Sequence, residues 1–170
     1  MSEIIVPPTP YKGLVPYAEE DAPFFFGRTA ETEIITANLM ASRLTVLYGA
    51  SGVGKTSVLR AGVAHHLREQ ARANLQKRNT AEFGIVYFNE WNYNPVAMLE
   101  ERISRQLTPC RVSTDDLPLF APTFFPEFLE QLSKQIDGDL LIILDQFEEY
   151  FLYHAQEDGP GTFLDRKSVV

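Results

Sequence analysis

Cysteine and basic charge are both scarce in this sequence. The 170 residues contain one cysteine, Cys110, so no disulfide bond can form within the chain. Acidic residues outnumber basic residues by 23 to 15, which gives a net charge of −8. This balance disfavours non-specific attraction to nucleic acids or to anionic membrane surfaces. The single cysteine fits a reducing, cytoplasmic setting.

Long apolar runs are also missing. The longest uninterrupted aliphatic stretch is Leu140–Leu144, whereas a membrane-spanning helix needs about 20 apolar residues. The first ten residues have neither the basic start nor the apolar stretch of a signal peptide. We therefore expect no membrane association. The N-terminal residues 1–23 hold five of the eleven prolines, and we interpret them as an extended arm.

Apolar runs and amphipathic patterns alternate along the rest of the chain. Four-residue apolar spacing, with Thr29 and Asn94 as candidate N-caps, predicts helices, and short runs of apolar residues predict strands. The predicted helices cover residues 29–40, 55–72, 95–107 and 125–136, and the predicted strands are Leu44–Tyr48, Ile85–Phe88 and Leu140–Leu144. Such alternation predicts an α/β fold with a mostly parallel sheet.

A glycine-rich motif lies between the first predicted strand and the second predicted helix. Residues Gly49–Thr56 match the pattern G-x-x-x-x-G-K-[ST] in full. Glycines allow a tight turn whose backbone N–H groups point at phosphate oxygens, and the following helix adds the positive end of its dipole. Lys55 would supply charge to the β- and γ-phosphates, and the Thr56 hydroxyl would be a ligand of Mg²⁺.

Acidic residues follow the third predicted strand. Asp145 comes directly after Leu144, and Glu148 and Glu149 follow it within one turn. Ligands of open α/β sheets bind at the carboxyl ends of the strands, so Asp145 is a candidate for holding Mg²⁺. Glu148 or Glu149 is a candidate for orienting or deprotonating a water molecule, with a slight preference for Glu149.

Several further motifs accompany the glycine-rich loop. They are Tyr11-Lys12-Gly13-Leu14, Glu19-Glu20-Asp21-Ala22, Phe25-Phe26-Gly27-Arg28 and Asp145-Gln146-Phe147-Glu148-Glu149-Tyr150-Phe151. With these motifs the chain resembles the novel STAND NTPases, signalling ATPases often found ahead of WD40 or other repeats in bacterial proteins. The resemblance covers residues from about 10 to 164.

The resemblance implies a fold, a cofactor and a set of site residues. The fold would be a three-layer α/β/α sandwich, the ligands ATP or ADP with Mg²⁺, and Phe26-Gly27-Arg28 would lie near the adenine and ribose. The predicted nucleotide-binding residues are Phe26, Gly27, Arg28, Gly49, Ala50, Ser51, Gly52, Val53, Gly54, Lys55, Thr56 and Ser57. Family members act as switches that form homo-oligomers when ATP-bound, and a C-terminal repeat domain is the implied partner.

The resemblance also implies that the NTPase domain is incomplete here. Residues 24–164 would be its N-terminal portion, truncated after the Asp145 strand, without the later strand that lies between that strand and Leu44–Tyr48. We expect such a fragment to be poorly stable and a weak ATPase at best. Residues 165–170 correspond to the translation of a widely used sequencing adapter, and we interpret them as an artefact.

Three functions are compatible with the motifs. The first is an ATP-binding switch that hydrolyses ATP slowly, with Lys55, Glu148 and Glu149 as catalytic residues. The second is a nucleotide-sensing module without significant hydrolysis. The third is a DNA-processing ATPase, which the net charge and the absence of a basic run disfavour.

Overall fold

The computed structural model describes residues 10–108, 125–136 and 138–156. The chain forms two compact units, Met1–Leu67 and Arg68–Val170. The helix that begins at His65 contains the boundary between them.

The first unit is helical in its described part. A 3₁₀ helix (Glu19–Phe24) precedes α1 (Thr29–Ala41), and α2 (Lys55–Ser57) runs through a π-helical segment (Val58–Ala64) into α3 (His65–Arg78). The prediction of a helix from Lys55 is confirmed, although it extends beyond the predicted end at residue 72. The π segment supplies most of the buried apolar side chains of this unit, namely Val58, Leu59, Ala61, Val63 and Ala64.

Part of the predicted N-terminal arm is helical instead of extended. Residues Glu19–Phe24 form the 3₁₀ helix, because the buried side chain of Asp21 gives this segment an anchor. Asp21 Oδ2 accepts a hydrogen bond from the Ala18 N–H at 2.8 Å and pairs with the Lys12 ammonium. The hydrogen bond from Lys12, assisted by that from Ala18, holds the pKa of Asp21 below its ordinary value.

The predicted strand Leu44–Tyr48 is wrong for this structure. The segment has no regular secondary structure, and Leu44, Val46 and Tyr48 are 80%, 73% and 89% exposed. A strand exists only where a neighbouring strand accepts and donates its backbone hydrogen bonds. Within the described residues the sheet consists of two strands, both in the second unit, and neither pairs with this segment.

In its described part, the second unit contains that parallel sheet, the portion of α3 from Arg68 to Arg78 and three further helices. Strand β1 (Phe83–Phe88) pairs with β2 (Asp139–Leu144) in a register that runs from Phe83 opposite Asp139 to Phe88 opposite Leu144. Helix α4 (Pro95–Leu107) lies between them in sequence, followed by α5 (Phe125–Ile136), and α6 (Glu148–Tyr153) comes after β2. This mixture of helices with a small parallel sheet is compatible with the predicted α/β class.

Local rules account for the ends of these elements. The Asn94 side chain accepts a hydrogen bond from the Ala97 N–H at 3.2 Å, with Pro95 in the first turn, as the sequence predicted. Gly138 directly precedes β2 in sequence and lies against the backbone carbonyl of Glu82. A Cβ atom at position 138 would overlap that carbonyl. Only glycine therefore allows the two strands to begin their pairing here.

One apolar core holds the second unit together. It joins β1 to the buried faces of α4 and α5 and to α6, and its buried members are Val86, Phe88, Trp91, Leu99, Ile103, Leu107, Phe128, Leu132, Ile136 and Tyr150. Both predicted amphipathic helices supply these residues at four-residue spacing, so their burial confirms that each helix has one apolar face. No helix in the described ranges is both long and apolar enough to cross a bilayer.

Candidate functional site

The glycine-rich loop turns sharply ahead of α2. Gly52 and Gly54 have φ angles of +79° and +87°, a left-handed conformation that favours glycine over residues with a Cβ atom. Residues 49–53 of the loop are exposed, and residues 54–57 are half-buried. The loop therefore presents its backbone to solvent at the start of a long helical segment, which is the arrangement of an anion cradle.

Lys55 folds back over the loop. Its Nζ donates hydrogen bonds to the carbonyl oxygens of Gly49 at 2.8 Å and Ala50 at 3.0 Å. Two neutral carbonyls are modest partners for an ammonium, compared with the charged oxygens of a phosphate. The lysine is thus held at the mouth of the loop by partners that an anion can replace.

Arg28 lies beside the same loop. Its Nη1 donates to the carbonyl oxygen of Val53 at 3.3 Å, and its Nε pairs with Glu31 Oε1 at 2.8 Å. The structure therefore brings the predicted residue Arg28 to Val53 of the glycine-rich loop, 25 residues further along the chain.

A groove of about 340 Å³ lies next to Arg28 in the first unit. Phe25 and Pro23 give it apolar walls, and threonine, glutamate and histidine side chains give it polar ones. The lining residues are Ala22, Pro23, Phe25, Arg28, Thr29, Thr32, Glu33, Ala61, Gly62, His65 and His66. Such a volume is at the lower end of the range for small-molecule sites.

Phe26 and Gly27 are the other two residues of the segment predicted to lie near the base. Unlike Arg28, neither of them lines the groove. The Phe26 ring is 79% exposed, and Gly27 has a φ angle of +79°. Phe25, not Phe26, lines the groove, with its ring centroid 5.6 Å from that of Tyr17. Ser57 also has a partner from the N-terminal segment, because its Oγ accepts the Tyr17 N–H at 3.1 Å.

Asp145 is fixed at the end of β2 in the second unit. It is 4% exposed, and its N–H donates to the Phe88 carbonyl at 2.9 Å, which extends the ladder one step beyond Leu144. Its Oδ2 accepts from the Tyr87 hydroxyl at 2.7 Å and its Oδ1 from the Gln146 N–H at 3.0 Å. The Asp145 carbonyl accepts from Trp91 Nε1 at 2.7 Å.

The two glutamates after Asp145 differ in their environment. Glu149 is half-buried, and its Oε1 accepts a hydrogen bond from Gln146 Nε2 at 2.9 Å. Glu148 is exposed. Gln146 itself has a φ angle of +55° and belongs to the turn that joins β2 to α6.

Predicted metal ligands come from both units: Thr56 belongs to the first and Asp145 to the second. Their hydroxyl and carboxylate oxygens are the donor types that Mg²⁺ prefers, usually together with phosphate and water. In the described part of the chain, no group of three or more His, Cys, Asp or Glu side chains forms a metal site of its own. Each donor, taken by itself, is therefore of a type that Mg²⁺ accepts.

The sequence reasoning did not identify Tyr87 and Gln106 as relevant to this region. Tyr87 interrupts an otherwise apolar strand, and a polar atom in such a run is a signal that a buried partner exists. Gln106 Oε1 accepts from the Tyr87 N–H at 2.8 Å, and Gln106 Nε2 donates to the Tyr87 carbonyl at 2.9 Å. Helical spacing alone gave no indication of these bonds, since they join two elements through residues that are 19 positions apart.

The comparison with known families decides the classification. The sequence profile described as Novel STAND NTPase 1 matches residues 10–166. This chain belongs to the novel STAND NTPase family. No curated protein and no solved structure matches it. This family match confirms the resemblance that was predicted from the glycine-rich loop, the Phe26-Gly27-Arg28 segment and the acidic residues after the third predicted strand. The STAND NTPases are nucleotide-binding signalling NTPases.

Proposed function

We propose that this STAND NTPase chain binds ATP or ADP with Mg²⁺ at the loop Gly49–Thr56 and serves as a slowly hydrolysing switch. The observation that carries the proposal is the position of Lys55, whose ammonium is held by the Gly49 and Ala50 carbonyls at the mouth of a solvent-facing glycine loop. A polyphosphate would offer this ammonium charged partners in place of neutral ones.

Further residues of the first unit would complete the nucleotide site. Loop residues 49–57 would donate backbone N–H groups to the phosphates, and Thr56 would add its hydroxyl to Mg²⁺. Arg28 adjoins both the loop, through Val53, and the groove of about 340 Å³. We propose this groove and the neighbouring Phe26 and Gly27 as the region that receives the base and ribose.

Residues of the second unit would serve the metal and the water. Mg²⁺, when bound, neutralises charge on the phosphates during their hydrolysis. Asp145 offers carboxylate oxygens for its hydration shell. Glu149 is the better candidate for positioning water, because Gln146 already fixes its carboxylate, whereas Glu148 is exposed. The three-layer sandwich, the ATP-dependent homo-oligomer and the C-terminal repeat domain remain predictions from the family resemblance. The cytoplasmic location remains a prediction from the single cysteine.

Replacement of Lys55 tests the proposal. A fluorescent ATP analogue is titrated into the wild-type protein and into Lys55→Ala, each in magnesium buffer. We expect Lys55→Ala to weaken binding by at least about tenfold, since a charge-assisted hydrogen bond is lost. Lys134→Ala is the matched control, because Lys134 pairs with Glu130 on the surface of α5. The Lys134→Ala variant should bind the ATP analogue with the same affinity as the wild type.

Two results would contradict nucleotide binding at this loop. One is a wild-type protein that binds no nucleoside triphosphate, and the other is a folded Lys55→Ala variant with unchanged affinity. Hydrolysis is tested separately with Glu149→Gln and Glu148→Gln. Loss of turnover with intact binding supports the hydrolysing switch, whereas wild-type protein that binds without turnover supports the nucleotide-sensing module.

A further inference from the structure

The hydroxyl of Tyr87 is a polar group in a strand that has no other polar side chain. Strand β1 reads Phe-Gly-Ile-Val-Tyr-Phe, and all six residues are buried. A buried hydroxyl without a partner costs free energy, and phenylalanine would fill almost the same volume. The hydroxyl therefore needs a specific partner, and that partner is Asp145 Oδ2 at 2.7 Å.

The bond to Tyr87 completes the fixation of Asp145. The backbone of Asp145 is held on one side by the Phe88 carbonyl and on the other by Trp91 Nε1. Each carboxylate oxygen accepts one hydrogen bond, from Tyr87 and from the Gln146 N–H. A carboxylate has about four acceptor sites, so this arrangement sets the plane of the group while leaving acceptor capacity on both oxygens.

We propose that Tyr87 is a positioning residue that holds the Asp145 carboxylate in the orientation needed to receive Mg²⁺ with the nucleotide. The inference rests on the proposed function, because it assumes that Asp145 serves the metal. The physical reason is that ligands of metals and their waters are oriented by hydrogen bonds to surrounding residues, and removal of such a partner weakens metal affinity. Tyr87 itself would contact neither the nucleotide nor the metal.

The test compares nucleotide affinity with and without the metal. A fluorescent ATP analogue is titrated into wild type, Tyr87→Phe and Tyr153→Phe, first with Mg²⁺ and then with EDTA. We expect Tyr87→Phe to reduce the enhancement by Mg²⁺ about tenfold or more, with the affinity in EDTA unchanged. Tyr153→Phe is the matched control, since Tyr153 is 57% exposed on α6 and should behave as wild type.

A second readout follows the metal directly. Mn²⁺ replaces Mg²⁺, and its binding to the protein–nucleotide mixture is measured by electron paramagnetic resonance. Tyr87→Phe should bind Mn²⁺ more weakly than wild type by a similar factor. In an Asp145→Asn background the Tyr87→Phe change should have no further effect, because the partner through which it acts is altered.

Circular dichroism checks that each variant is folded, and two further replacements at position 87 are available. If Tyr87→Phe does not fold, 4-methylphenylalanine at position 87 retains the volume of the hydroxyl without its donor, and p-aminophenylalanine retains a donor. The first should lose the enhancement by Mg²⁺, and the second should recover it. Two results would overturn the positioning role. One is a folded variant without the donor in which Mg²⁺ still increases nucleotide affinity as much as in wild type. The other is a Tyr87→Phe change that weakens Mn²⁺ binding equally in the wild-type and Asp145→Asn backgrounds. Absence of all nucleotide binding by the wild type would instead remove the proposed function on which it rests.

Discussion

Two aspartates, Asp21 and Asp145, are the buried charged side chains among the described residues. A buried carboxylate is stable only when donors replace the water that it has lost. Lys12 and the Ala18 N–H do so for Asp21, and Tyr87 and the Gln146 N–H do so for Asp145. Asp21 anchors the N-terminal segment, and Asp145 lies at the carboxyl end of β2.

Replacement of Asp21 should show the stabilising effect of its donors. Lys12 and the Ala18 N–H lower the pKa of Asp21 from its ordinary value of 3.8, so the ionised form stabilises the folded state. We expect Asp21→Asn to lower the free energy of unfolding at pH 7 by about 1–2 kcal/mol, from loss of a charge-assisted hydrogen bond. Urea unfolding of the variant and of wild type measures this difference.

The pH dependence of that difference follows from the direction of the pKa shift. Because the folded pKa is lowered, the contribution is complete above the unfolded value near 3.8 and is lost as pH falls through the folded pKa. The difference in the free energy of unfolding between wild type and Asp21→Asn should therefore decrease below about pH 4. A gap that stays constant from pH 7 to pH 2.5 would contradict the assignment. Glu130→Gln, on the surface of α5, should leave stability unchanged.

At the scale of elements, the edge of β1 that does not pair with β2 is covered by side chains. Gln106 on α4 bonds to both backbone groups of Tyr87, as a neighbouring strand would. Arg68 on α3 donates to Gln106 Oε1 at 2.5 Å and to the Ile85 carbonyl at 3.4 Å. Uncovered edges invite pairing with other chains, so this arrangement protects the sheet on that side.

Removal of the Gln106 side chain should therefore be costly. We expect Gln106→Ala to lower the free energy of unfolding by about 1–3 kcal/mol, since two backbone groups of Tyr87 lose their partners in a part-buried place. Chemical denaturation measures the change. Gln135→Ala is the matched control, because Gln135 is exposed on α5. If the two variants unfold with the same free energy, the hydrogen bonds from Gln106 to the Tyr87 backbone do not stabilise the folded state.

At the scale of the whole molecule, net charge separates the candidate functions. The chain carries a net charge of −8, and binding to DNA depends on neutralisation of phosphates by basic residues. We expect no measurable affinity for labelled duplex DNA at 50 or at 200 mM salt, in fluorescence anisotropy titrations. Affinity that falls steeply between these salt concentrations would instead favour the DNA-processing ATPase.

The sequence by itself determined the features that depend on local chemistry. The G-x-x-x-x-G-K-[ST] loop, the Asn94 cap, and the amphipathic helices α4 and α5 all follow from residue type and spacing over a few positions. The strands β1 and β2 were also predicted, because continuous apolar runs are typical of strands covered by helices. All six residues of β1 are buried, whereas in β2 only Ile143 is buried. The family resemblance came from the same short motifs.

The tertiary structure alone decided the features that depend on distant partners. Leu44–Tyr48 has the composition of a strand yet forms none, since no described strand pairs with it. The 3₁₀ helix at Glu19–Phe24 depends on Lys12, and the orientation of Asp145 depends on Tyr87, 58 residues earlier in the chain. Hydrogen bonds between elements are set by packing, and residue spacing along one element carries no information about them.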